Sequence, residues 1–110
     1  MATVFGRLGG ISGASAIGAA AYGAHGFKPS DKTLVTSFEN AQRMHLVHSV
    51  MLAVSPRLPR PMLSGSLFAL GTAMFSGSCY AVALSGNRSY SKLAPAGGVT
   101  LMLAWLTIAL

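Results

Sequence analysis

The sequence predicts an all-α fold: an integral membrane bundle of four helices joined by short loops. Three observations carry this reading. The chain has only eight basic and two acidic residues in 110, and nothing acidic follows Glu39. Those charges leave Leu8–Phe27, Met44–Pro56, Met62–Asn87 and Leu93–Leu110 free of any Lys, Arg, Asp or Glu. A membrane-crossing helix needs ~20 mostly apolar residues to span ~30 Å of hydrocarbon. Three of these runs are about long enough alone, and the second becomes so when its helix starts several residues earlier. Finally, 9% charged residues, 52% hydrophobic residues and a mean hydropathy of +0.55 leave too little polar surface for a dissolved monomer, since soluble domains carry about 25% charged residues. The length allows a single membrane domain over residues 1–110, with helices at about 4–24, 31–54, 62–84 and 93–110.

The first helix is built from small residues, with Gly9 and Gly13 among several pairs four apart. Glycine costs a helix ~1 kcal/mol in water, so its abundance points to close backbone approach between helices in lipid. The expectation is a first helix inside the bundle, packed through small residues on the third. His25-Gly26-Phe27-Lys28-Pro29 ends it, and Ser30 or Asp31 can cap the second helix by accepting from a free amide of its first turn.

The second helix is amphipathic at its start. Leu34, Phe38, Ala41, His45, His48 and Leu52 fall on one stripe, with Lys32, Glu39 and Arg43 opposite. Glu39 and Arg43, at i and i+4 in the favoured order, are expected to form an ion pair at the membrane boundary. Three prolines in Pro56–Pro61 stop the helix. So short a turn makes the second and third helices an antiparallel hairpin. In the third helix Gly65, Ala69, Ala73, Gly77 and Ala81 recur every four residues and predict a packing stripe. Pro95 suits the first turn of the last helix.

A net charge of +6 could suggest nucleic acid, but the basic residues are scattered between the apolar runs. They suit helix ends and lipid headgroups better, so the expected partners are membrane lipids and other membrane-protein subunits, with no nucleic acid. Cys79 lies mid-run and reads as a buried small hydrophobe. No secretory signal or Arg-rich transit peptide is expected.

Polar chemistry concentrates in one half of the bundle. His25, His45, His48, Ser76, Ser78 and Tyr80 form a candidate intramembrane cluster. His48 is deepest, ten residues past Phe38 or ~15 Å of rise. Intramembrane ionisable residues are functional candidates by default. The plain reading is neutral histidines bonding neighbouring hydroxyls or carbonyls. The sharper ones are a proton-handling pair, a metal ion shared by His45 and His48, or a haem held with His25. The absence of an acidic residue at depth argues against a hydrolase, so neither a reaction nor a cofactor is assigned.

Several segments together resemble a known family. Gly23-Ala24-His25-Gly26, His48-Ser49, the run Gly71-Thr72-Ala73-Met74-Phe75-Ser76-Gly77-Ser78-Cys79-Tyr80, Leu84-Ser85 and Ala94-Pro95-Ala96-Gly97-Gly98 occur in matching order and spacing. They resemble the small four-helix membrane proteins that include transmembrane protein 256 of animals and bacterial relatives. The resemblance covers essentially the whole chain. It implies four membrane helices and, in animals, the mitochondrial inner membrane, but no catalytic residue. His25 and His48 stand on the family's motif positions, whereas bacterial members tend toward glutamine at His45. The expected role is a structural or accessory subunit of a larger inner-membrane assembly, respiratory in one version. The alternative is a small transporter or proton-linked channel using His25, His45 and His48.

Overall fold

The computed structural model describes residues 2–110. Four helices alternate in direction: α1 (Thr3–His25), α2 (Lys32–Val54), α3 (Pro61–Ser85) and α4 (Ala94–Ala109), with short 3₁₀ turns at Ser55–Arg57 and Arg88–Leu93. Local chemistry sets each boundary. The amides of Gly26 and Phe27 both close on the Tyr22 carbonyl, and Pro29 disfavours a helical Lys28. Asp31 caps α2, its carboxylate accepting the Thr33 amide at 2.9 Å. Pro61 opens α3, where its missing N–H is no loss. Gly86, at φ 74°, closes α3 in the left-handed conformation that costs glycine nothing. Arg60 caps the far end of α4, donating to the carbonyls of Thr107 at 2.9 Å and Leu110 at 3.1 Å.

The helices pack in chain order: α1 lies against α2, α2 against α3, and α3 against α4. The outer helices α1 and α4 do not meet. The buried centre, Leu52, Phe68, Leu101 and Ala104, sits where α2, α3 and α4 converge.

This arrangement corrects the expected pairing of α1 with α3. Those helices approach only at one end, where the Phe5 ring lies against Gly65. The tight small-residue contacts are elsewhere. A Cβ on Gly9 would strike the Ala53 backbone of α2, and one on Gly97 of α4 would lie 2.5 Å from the Phe75 nitrogen of α3. Gly13 only grazes Ser49, at 3.9 Å from its would-be Cβ, while Ala16 of α1 and Ala41 of α2 are fully buried. The α3 stripe is likewise split. Gly65 is buried, Ala69 and Ala81 are half-buried, and Ala73 and Gly77 are exposed. A Cβ on Gly77 would meet nothing within 4 Å. The stripe therefore lines an open groove. Nor is α1 interior: Gly9 and Ala16 are its only buried positions.

Large apolar side chains point outward, with Ile11 67%, Ile17 64% and Leu84 60% exposed. Water penalises such a surface and hydrocarbon does not. Two segments, Pro61–Ser85 and Arg88–Ala109, are long and apolar enough to cross a membrane on length and composition alone. The others are diluted, α1 by glycine and serine and α2 by Lys32, Glu39 and Arg43.

Candidate functional site

The six candidate polar residues separate into distinct environments. His48, only 4% exposed, faces α3 and α4. Its Nδ1 lies 2.7 Å from the Met44 carbonyl and its Nε2 3.1 Å from the indole nitrogen of Trp105. A carbonyl can only accept and an indole N–H can only donate, so the ring carries its hydrogen on Nδ1 and is neutral. Both nitrogens are thereby consumed. The imidazole also packs beside Phe68, and Phe68 meets Trp105 nearly perpendicular at 5.5 Å between centroids. Trp105 escaped the sequence reading. Its only signal was a lone indole N–H in an apolar helix, which needs an acceptor from somewhere.

His45 turns the other way, into the groove between α1 and α3. Its Nδ1 lies 2.9 Å from the Tyr80 hydroxyl, with the two rings at 83°. Behind it, Ser49 donates to the His45 carbonyl at 2.6 Å and pairs with Ser12 of α1 at 2.6 Å. Ser76 donates to the Ala41 carbonyl at 2.9 Å and so ties α3 to α2. The groove has a volume of 380 Å³ and an apolar floor that includes Leu52 and Ala69. The Thr72 hydroxyl in its wall is the one buried side-chain oxygen among the described residues without a partner.

The remaining candidates stand apart. Ser78 returns its hydroxyl to the Met74 carbonyl of its own helix. His25 is exposed at the end of α1, roughly 20 Å of helix from Ser12. Because His45 and His48 face different neighbours, they do not share an ion. Among the described residues no group of three His, Cys, Asp or Glu could hold a metal.

The boundary charges also pair differently than expected. Glu39 and Arg43 are both exposed and form no ion pair; the one ion pair among the described residues joins Arg88 to Asp31 at 3.1 Å. Asp31 thus links the start of α2 to the turn before α4. The Thr33 hydroxyl, the Thr33 amide and the Arg88 guanidinium hold its carboxyl below the usual carboxylate value. A lowered folded value means the contribution is present above the ordinary carboxylate range and is lost as pH falls through the folded value. Acidification below that range should therefore speed hydrogen exchange at the Thr33 and Leu34 amides, and Asp31→Asn should show the faster exchange already at neutral pH.

Comparison with known proteins gives the family. The family model described as "Protein of unknown function (DUF423)" matches residues 19–98. The chain belongs to this family. A UPF0382 membrane protein of Staphylococcus epidermidis is 33% identical over 112 residues, covering 96% of this chain and 91% of the relative. The UPF0382 membrane protein YwdK of Bacillus subtilis is 32% identical over 114 residues, covering 96% and 92%. A UPF0382 membrane protein of Schizosaccharomyces pombe is 31% identical over 108 residues, covering 89% and 92%. No solved structure matches. The DUF423 relationship, the apolar exterior and the two candidate spans together make the chain a small membrane protein. The relatives include the bacterial members that the resemblance implied and a yeast member besides. Its model begins within α1 and takes in the whole of α2, α3 and the turn before α4.

Proposed function

We propose that the protein is a four-pass accessory subunit that packs against a larger membrane assembly and carries no catalytic step. One observation carries the proposal: His48, the most buried ionisable side chain, has both ring nitrogens consumed by Met44 and Trp105. A group held this way braces α2 against α4 and has no nitrogen left to pass a proton onward. The transporter alternative needs His25, His45 and His48 to act in series. It loses support from His25 lying exposed at a helix end and from the two other histidines facing different neighbours. The edge position of α1 fits the accessory role, because much of that helix is left uncovered by its own chain.

The mitochondrial inner membrane, and a respiratory assembly in it, belong to this proposal through the resemblance to animal members. Bacterial relatives serve cells without mitochondria, so the role must be one that a bacterial membrane also uses. Gentle detergent extraction of the tagged chain from its native membrane, followed by native electrophoresis, tests the reading. The expected result is migration with a reproducible high-mass assembly. Migration only at the mass of the isolated chain, with no product from in-membrane cross-linking, would overturn it.

A further inference from the structure

The α1/α3 groove is the feature that the accessory role leaves unexplained. It lies at mid-depth: Thr72 is the twelfth of the 25 residues of α3, and His45 the fourteenth of the 23 of α2. Its open side is made by Ala73 and Gly77, whose missing bulk gives lateral access from the bilayer. At 380 Å³ it falls within the ~300–1,000 Å³ of small-molecule sites, which are mostly apolar with a few placed polar groups.

Those polar groups point to a type of ligand. One hydrogen bond joins His45 Nδ1 and the Tyr80 hydroxyl. If tyrosine donates, the imidazole keeps an Nε2–H; if imidazole donates, tyrosine keeps its O–H. In either arrangement the pair retains one further donor. The Thr72 hydroxyl, although without a partner, is buried in the wall, so the His45–Tyr80 pair is the donor the groove presents. The site therefore offers one hydrogen-bond donor, no charge, and an apolar floor, and it suits a neutral acceptor oxygen on an apolar body.

Depth then narrows the choice. Phospholipid ester and headgroup oxygens lie at the edges of the hydrocarbon, ~15 Å from its centre, so a phospholipid would bring only methylene groups to this level. Fatty acids and sterols likewise keep their oxygens at the interface. Prenylated quinones are membrane-soluble molecules that carry planar acceptor carbonyls into the hydrocarbon interior. We propose that the groove binds the head of a quinone, with the His45–Tyr80 pair donating to one carbonyl and the ring lying over Ala73 and Gly77. This goes beyond the accessory role and stands whether or not a partner assembly is found.

The test uses the full chain in detergent with decylubiquinone as the probe and matched empty micelles as the partition control. Wild type should bind saturably. Gly77→Leu, which projects a side chain into open space, should weaken binding at least tenfold without changing thermal stability. Tyr80→Phe, which keeps the ring and removes the hydroxyl, should weaken it several-fold. Dodecane, with a chain and no carbonyl, should fail to compete. Absence of saturable binding by wild type would overturn the proposal, as would unchanged affinity in folded Gly77→Leu. Competition by dodecane as strong as by unlabelled quinone would also overturn it, and would make the groove a seat for an acyl chain. Occupation by a partner's transmembrane helix would show as cross-links from Gly77→Cys to another polypeptide with no saturable quinone binding.

Discussion

Gly97→Leu should prevent the bundle from assembling, whereas Gly77→Leu should leave it folded. Both glycines belong to small-residue segments of apolar helices, and their sequences alone do not rank them. Position 97 lies on the α3 backbone: an added Cβ would sit 2.5 Å from the Phe75 nitrogen and 2.9 Å from its Cα. Backbone atoms in a packed helix cannot give way as a flexible side chain can, so α4 would have to lift off α3. Overpacking of an ordinary core costs about 1–3 kcal/mol, and a whole leucine against backbone should exceed that range. Even Gly97→Ala should lower the melting temperature clearly, as should Gly9→Ala, which meets the Ala53 backbone. At position 77 the space is empty. Size-exclusion profiles and thermal unfolding in one detergent would check the contrast. Equal behaviour of the two leucine variants would show that α4 does not pack on α3 as described.

The second large effect is expected at the His48–Trp105 contact. Trp105→Phe removes the donor and strands the His48 Nε2 in a water-free interior. A buried polar group left without a partner costs about 1–3 kcal/mol, and the smaller ring also opens space beside Phe68. His48→Gln should be milder, since an amide supplies one acceptor for the indole and one donor for the Met44 carbonyl. A double-mutant cycle between His48→Leu and Trp105→Phe, followed by circular dichroism, should give a coupling of about 0.5–3 kcal/mol. Coupling near zero would mean that the 3.1 Å contact contributes nothing to the fold.

Much of the helical framework was legible because its boundaries depend on local chemistry. Asp31 as a cap, the proline-rich turn after α2 and Pro95 at the start of α4 act within a few residues of where they stand. Helix pairing was not legible in the same way. Small residues on α3 serve different faces: Gly71 is pressed by Leu101 while Gly77 faces nothing. Periodicity shows which residues share a face, but a face of small residues reads alike whether a helix or an open groove lies over it.

The candidate site was partly legible for a related reason. His45 and His48 do lie close on the α2 surface, yet a three-residue step separates them by about 60°. That angle straddles the line of contact with α3, so one ring turns toward α1 and the other toward α4. The partner that settles His48 is 57 residues away, and no local pattern reports it. The proposed Glu39–Arg43 pair failed for want of burial. An exposed i,i+4 pair is worth only about 0.3–0.5 kcal/mol, too little to hold two long side chains together.

The most direct test of this account is proton flux through liposomes holding the purified protein and a pH-sensitive dye, with a valinomycin-clamped potential as driving force. Structural histidines predict that wild type, His45→Gln and His48→Gln all match protein-free vesicles. Flux in wild type that disappears in folded His48→Gln would contradict it.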